Sequence, residues 1–138
     1  MRFVVLVKPG PEAEAGRLPD PAMFEAMGKF NDEMVSAGVM LAAEGLHPTS
    51  KGARIRYAGG RPSVVDGPFT ESKELIGGFW ILQVKSRDEA IEWMKRAPFG
   101  ETEEVEIREI WELEDLGDQM LPETRERELR QRAELQGH

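Results

Sequence analysis

The chain has 138 residues, a formal net charge of −8, a sequence pI near 4.9 and no cysteine, which suits one domain with a hydrophobic core that needs neither disulfides nor a structural metal. The missing cysteines also exclude thiol nucleophiles, Cys-ligated zinc and iron–sulfur clusters. The acidic balance works against nucleic acid as a partner, because a phosphate backbone needs a cationic surface to release its counterions.

The first segment, MRFVVLVKPG, has an apolar run of five residues, too short for a signal-peptide core, and reads as a strand over residues 2–8. Its apolar residues fall on both faces, so both faces expect cover. KPGPEAEAGRLPDP is a loop by composition. Asp20 before Pro21 is an N-cap followed by proline at the first helical position. Met23, Met27, Phe30 and Met34 then recur at three- and four-residue spacing, which predicts a helix from about residue 21 to 37.

VMLAAEGLH, residues 39–47, predicts a second strand. ARIRYAGGRPSVVDG predicts a hairpin turning at Gly59-Gly60, where positive φ angles are wanted, with Pro62 confining the returning arm to an edge. GGFWILQV, 77–84, is another strand apolar on both faces. Ser86 can cap a helix with Ala90, Ile91, Trp93 and Met94 on its buried side, ending near Pro98. VEIREIWEL, 105–113, closes the order, with Val105, Ile107 and Trp111 on one face. The charged tail, 113–138, reads either as a solvated helix or as an arm laid across a second copy.

The order β-α-β, hairpin, β-α-β is an α+β, ferredoxin-like split βαβ pattern with an inserted β-hairpin. Its helices can cover one face of the sheet only. A second copy is the most economical cover for the other, so a homodimer is expected. No segment is long enough to span a membrane, and no basic amphipathic helix favours a membrane surface. A cytoplasmic protein is expected.

The chemistry concentrates in Asp66-Gly67-Pro68-Phe69 and the charges that follow it. An aspartate before a turn ordinarily accepts the backbone N–H two residues on, but here that residue is Pro68, which has none. Asp66 is thus a candidate proton acceptor or ligand anchor. His47, at the end of the second predicted strand, is the candidate partner that titrates near neutral pH. Glu71 and Lys73 would position a polar ligand, while Phe69 and Trp80 would form apolar walls. The lone internal histidine offers no HxxxH or HxH spacing, so neither a metal nor another cofactor is expected.

The stretch GLHPTSKGARIRYAGGRPSVVDGPFTESKELIGGFWILQVKSRDEAIEWMKRAP resembles the YCII-related proteins of the DGPF type. Their hallmarks are a GL.PT segment, an R.R hairpin, DGPF.E.KE..GG, an aliphatic-aromatic strand and a DEAIEW helix. The likeness covers residues 1 to about 112 and leaves the tail outside. It implies a dimeric α/β-barrel, two ferredoxin-like sheets packed face to face, and brings no established reaction. Smaller relatives have a proposed histidine–aspartate pair with the histidine near the start of the first helix. Here that region reads DPAMFEAMGKF and has no histidine. The resemblance also implies an association with extracytoplasmic-function sigma factors, hence a regulatory or interaction domain as the alternative to a small-molecule site.

Overall fold

The computed structural model describes residues 1–70 and 74–137. In chain order the elements are β1 (Arg2–Lys8), α1 (Pro11–Glu14), α2 (Pro21–Ser36), β2 (Met40–Gly45), β3 (Ala53–Arg56), β4 (Ser63–Asp66), β5 (Gly78–Gln83), α3 (Arg87–Lys95), β6 (Glu104–Glu109), α4 (Leu113–Leu116) and α5 (Pro122–Gln136). Strands β1, β2, β5 and β6 form one sheet in the order β2-β5-β1-β6, with every neighbouring pair antiparallel. This is the ferredoxin-like topology. The β3–β4 hairpin forms a separate two-stranded sheet between β2 and β5 in sequence.

Strands β1 and β5, whose sequences are apolar on both faces, occupy the two central positions. On one face Phe3, Val5, Trp80 and Leu82 pack beneath Phe30 and Met34 of α2 and Ala90 and Met94 of α3. The Trp80 indole also donates to Asn31 Oδ1 at 2.9 Å, so its polar edge is satisfied inside the core. Phe30 and Phe99 meet the same indole edge-on, with centroids 6.1 and 5.9 Å away. The expected caps form: Asp20 Oδ1 accepts from Met23 N at 2.9 Å, and Ser86 Oγ accepts from Glu89 N at 3.1 Å.

The opposite face carries Val4, Leu6, Phe79 and Ile81 as cross-strand neighbours, all only half-buried. Among the described residues the sheet is open at β2 and β6, and the single chain closes no barrel. Gly59 and Gly60 both take φ +79°, as the hairpin turn requires.

Two local readings differ from the structure. The proline-rich loop contains the short helix α1, with Pro11 at its first position. Trp111 does not share the buried face of Val105 and Ile107: it is 70% exposed. The cause is local, because Glu112 N donates to Asp115 Oδ2 at 2.9 Å in a reciprocal cap that starts α4 and leads the chain off the sheet. The tail is helical over Pro122–Gln136, with none of the helix's residues buried. Arg132 reaches Glu112 (3.9 Å) and Glu128 (2.8 Å), while Leu129 stays exposed. Among the described residues no helix is long and apolar enough to cross a membrane.

Candidate functional site

The DGPF turn is held from three sides. Gly67 N donates to Gly52 O at 3.0 Å, closing the base of the hairpin. Phe69 N donates to Thr49 Oγ1 at 3.0 Å. Thr49 in turn gives both its backbone N–H (2.9 Å) and its hydroxyl (2.5 Å) to Glu14 Oε1, at the end of α1. The Gly67-Pro68 bond is cis, and a Cβ at Gly67 would overlap the Thr49 carbonyl, so the close approach admits glycine alone. Above the turn, the Arg54 guanidinium lies 3.9 Å from the centroid of the Phe69 ring. One hydroxyl therefore links helix α1, the end of the β2 segment and the DGPF loop.

Asp66 is the last residue of β4 and is exposed, and its carboxylate accepts no hydrogen bond among the described residues. The turn role that Pro68 denies it is thus not replaced by another. His47 lies just beyond β2, also exposed and also without a side-chain partner among the described residues. The segments that carry the two residues are bonded together through Thr49 and Gly52. Phe69 is half-buried under Arg54, and Trp80 is a core residue. Glu71 and Lys73 lie outside the described residues.

Two cavities adjoin one another on the other side of α1. The larger, about 670 Å³, lies between residues 9–20, the first half of α2 and the Val7–Gly77 end of the sheet. Pro9, Ala13, Leu18, Met23, Phe24, Met27 and Phe99 make its wall predominantly apolar. The smaller, about 330 Å³, shares Val7, Pro19, Met27, Gly77 and Phe99 with it and continues to Asn31 and Trp80. Neither is lined by His47, Asp66 or Phe69. Sequence reasoning missed this site because its wall is drawn from the proline-rich loop and from helix positions that alone read as core.

The charged groups of the larger cavity are already engaged. Arg17 Nη1 lies 2.5 Å from Glu12 Oε2. Asp20 caps α2, and Glu103 Oε2 accepts from Gly100 N (3.0 Å) and Thr102 Oγ1 (3.3 Å). Among the described residues, then, the wall holds three carboxylates and one guanidinium, and that guanidinium is paired.

Fold and site together define a ferredoxin-like α+β protein with an inserted hairpin and a cavity beside its first long helix. The chain belongs to the YCII-related domain family, whose model matches residues 1–114. An uncharacterised protein of Rhizobium meliloti (strain 1021) is 32% identical over 76 residues, a match that covers 55% of this chain and 61% of that protein. Among solved structures, 5-chloro-2-hydroxyhydroquinone dehydrochlorinase from Burkholderia phenoliruptrix, in complex with 2,5-dihydroxybenzoquinone, is similar at 16% identity and a TM-score of 0.42. That match covers 81% of this chain and 94% of the other.

Proposed function

We propose that this YCII-related protein binds a small, predominantly apolar molecule, neutral or cationic, in the cavity beside α2. The supporting observation is the cavity itself: about 670 Å³ of apolar wall, within the roughly 300–1,000 Å³ of small-molecule sites. Leu18 and Phe24, both strongly exposed, stand at its margin as apolar contacts that water does not favour. The charge balance narrows the ligand class. With its one guanidinium paired to Glu12 and two more carboxylates present, the wall repels an anion and tolerates an amine. The apolar wall departs from the polar ligand suggested by the charged loop.

Thermal shift with a matched aromatic alcohol, amine and carboxylate tests this reading, since a ligand bound to the native state raises the melting temperature by mass action. The alcohol and amine are expected to stabilise and the carboxylate not. Ala26 lines the cavity, so Ala26→Phe should fill the space and abolish the shift. Binding unchanged in Ala26→Phe, but lost in His47→Gln and Asp66→Asn, would move the site to the hairpin base.

We propose further that two copies join through the open sheet face, completing the α/β-barrel between chains, and that within its family the chain is of the DGPF type. Half-buried Val4, Leu6, Phe79 and Ile81 support the first, and the Gly67–Thr49 close approach at the DGPF turn supports the second. Light scattering should give twice the chain mass of 15.5 kDa.

A further inference from the structure

The β3–β4 hairpin is more exposed than its composition suits. From residue 53 to 64 every position is exposed except Arg54. Ile55 and Val64 form a cross-strand pair, yet they are 53% and 66% exposed, and Tyr57 beside the turn is 72% exposed. The Arg54–Val65 face of the ribbon is half-buried over Phe69, the Ile55–Val64 face stands in water, and a two-stranded ribbon so exposed is marginal at best. Three large apolar side chains on such a ribbon mark it as a surface to be covered.

Charge points to the cover. Residues 51–66 hold Lys51, Arg54, Arg56 and Arg61 against Asp66, a net charge of +3 within a chain of net −8. Residues 101–118 hold nine carboxylates against Arg108, a net charge of −8. Among the described residues Arg56 and Arg61 form no ion pair, and neither do Glu104, Glu109 and Glu114. The acidic segment includes β6, an edge strand with one side of its backbone ladder unpaired, and Trp111 just beyond it is 70% exposed.

Among the described residues no ion pair or side-chain hydrogen bond joins the two segments within the chain. The hairpin follows β2, at one edge of the sheet, whereas β6 is the other edge. Three strand spacings of about 4.8 Å separate those edges. A twofold axis removes the obstacle, because it presents the hairpin of each copy to the acidic edge of its partner twice over.

We propose that the β3–β4 hairpin is an intermolecular clasp between two copies of this chain. It lies along the partner's β6 edge, with Arg56 and Arg61 against the acidic side chains there and Ile55, Tyr57 and Val64 against the exposed indole. The clasp rests on the dimer proposed above and adds to it a specific contact outside the open sheet face. The complement in charge, apolar surface and free strand edge is present on the same chain, which favours a second copy over an unrelated acidic protein.

Charge reversal in the full chain tests the clasp by light scattering and sedimentation. Arg56→Glu/Arg61→Glu and Glu104→Arg/Glu109→Arg should each weaken the dimer by about tenfold or more, since every reversal counts twice by symmetry. An equimolar mixture of the two variants should recover the association. The milder Arg56→Ala/Arg61→Ala, at exposed positions, should weaken it about threefold without altering the circular dichroism of the folded chain. Raising salt from about 50 to 500 mM should loosen the wild-type dimer. Reversals that leave a dimer of unchanged strength would overturn the clasp while leaving the sheet-face dimer standing. A mixture that fails to recover would overturn the β6 edge as its counterpart, and a monomeric wild type would overturn both.

Discussion

Replacing Thr49 by valine keeps the shape of the side chain and removes the hydroxyl that joins α1 to the DGPF loop. That hydroxyl donates to the Glu14 carboxylate at 2.5 Å and accepts from Phe69 N at 3.0 Å. A hydrogen bond to a charged group contributes about 1.5–3 kcal/mol and a neutral one about 0.5–1.5 kcal/mol. Both contacts are half-buried, so the lower ends apply, and the expected loss is about 2 kcal/mol. Glu14 is not orphaned, because the Thr49 backbone N–H still reaches it at 2.9 Å. With a urea slope of about 1–3 kcal/mol per molar, the midpoint should fall by about 1 M. Thr49→Ser, which restores the hydroxyl, should recover most of that shift. Because Glu12 and Ala13 of α1 line the cavity, Thr49→Val should also weaken binding of the aromatic amine. A midpoint for Thr49→Val indistinguishable from wild type would refute the idea that this hydroxyl holds the loop.

The remaining outcomes follow from burial and charge. Gly67→Ala places a methyl on the Thr49 carbonyl and is expected to disrupt the hairpin base far more than Thr49→Val, which denaturation and circular dichroism would show together. Leu82→Ala, at a fully buried central-strand position, should cost about 2–5 kcal/mol, and a smaller loss would mean that the core can collapse around the gap. Trp80→Phe loses the bond to Asn31 and part of the packing, about 2 kcal/mol by the same urea assay. Glu112 sits below the ordinary carboxylate range because the Arg2 guanidinium hydrogen-bonds it, so its contribution is present above the unfolded pKa of about 4.3 and is lost as pH falls through the lower folded value. Glu112→Gln should therefore be less stable than wild type at neutral pH and converge with it at the acid end. A constant gap across that range would disprove the linkage.

The two helices, their caps, the four sheet strands and the hairpin turn were legible in the sequence, because each is set by local chemistry. Asp20-Pro21 and Ser86 start helices through their own side chains, Met23 to Met34 keep a helical period, and Gly59-Gly60 supply the turn that few other residues allow. Strands apolar on both faces had to be central, and β1 and β5 are. The exit of Trp111 from the sheet was not legible, since it depends on a reciprocal cap between Glu112 and Asp115 that competes with strand continuation. Nor was the cavity, because Pro9, Leu18, Met23 and Phe99 come from separate segments and face one space only after the chain has folded. The sequence likewise marked DGPF as a tight turn with an unusual aspartate. Tertiary structure alone brought Thr49 and Glu14, 35 residues apart, onto the pair of hydrogen bonds that holds the turn, because such long-range pairs leave no periodic trace in the chain.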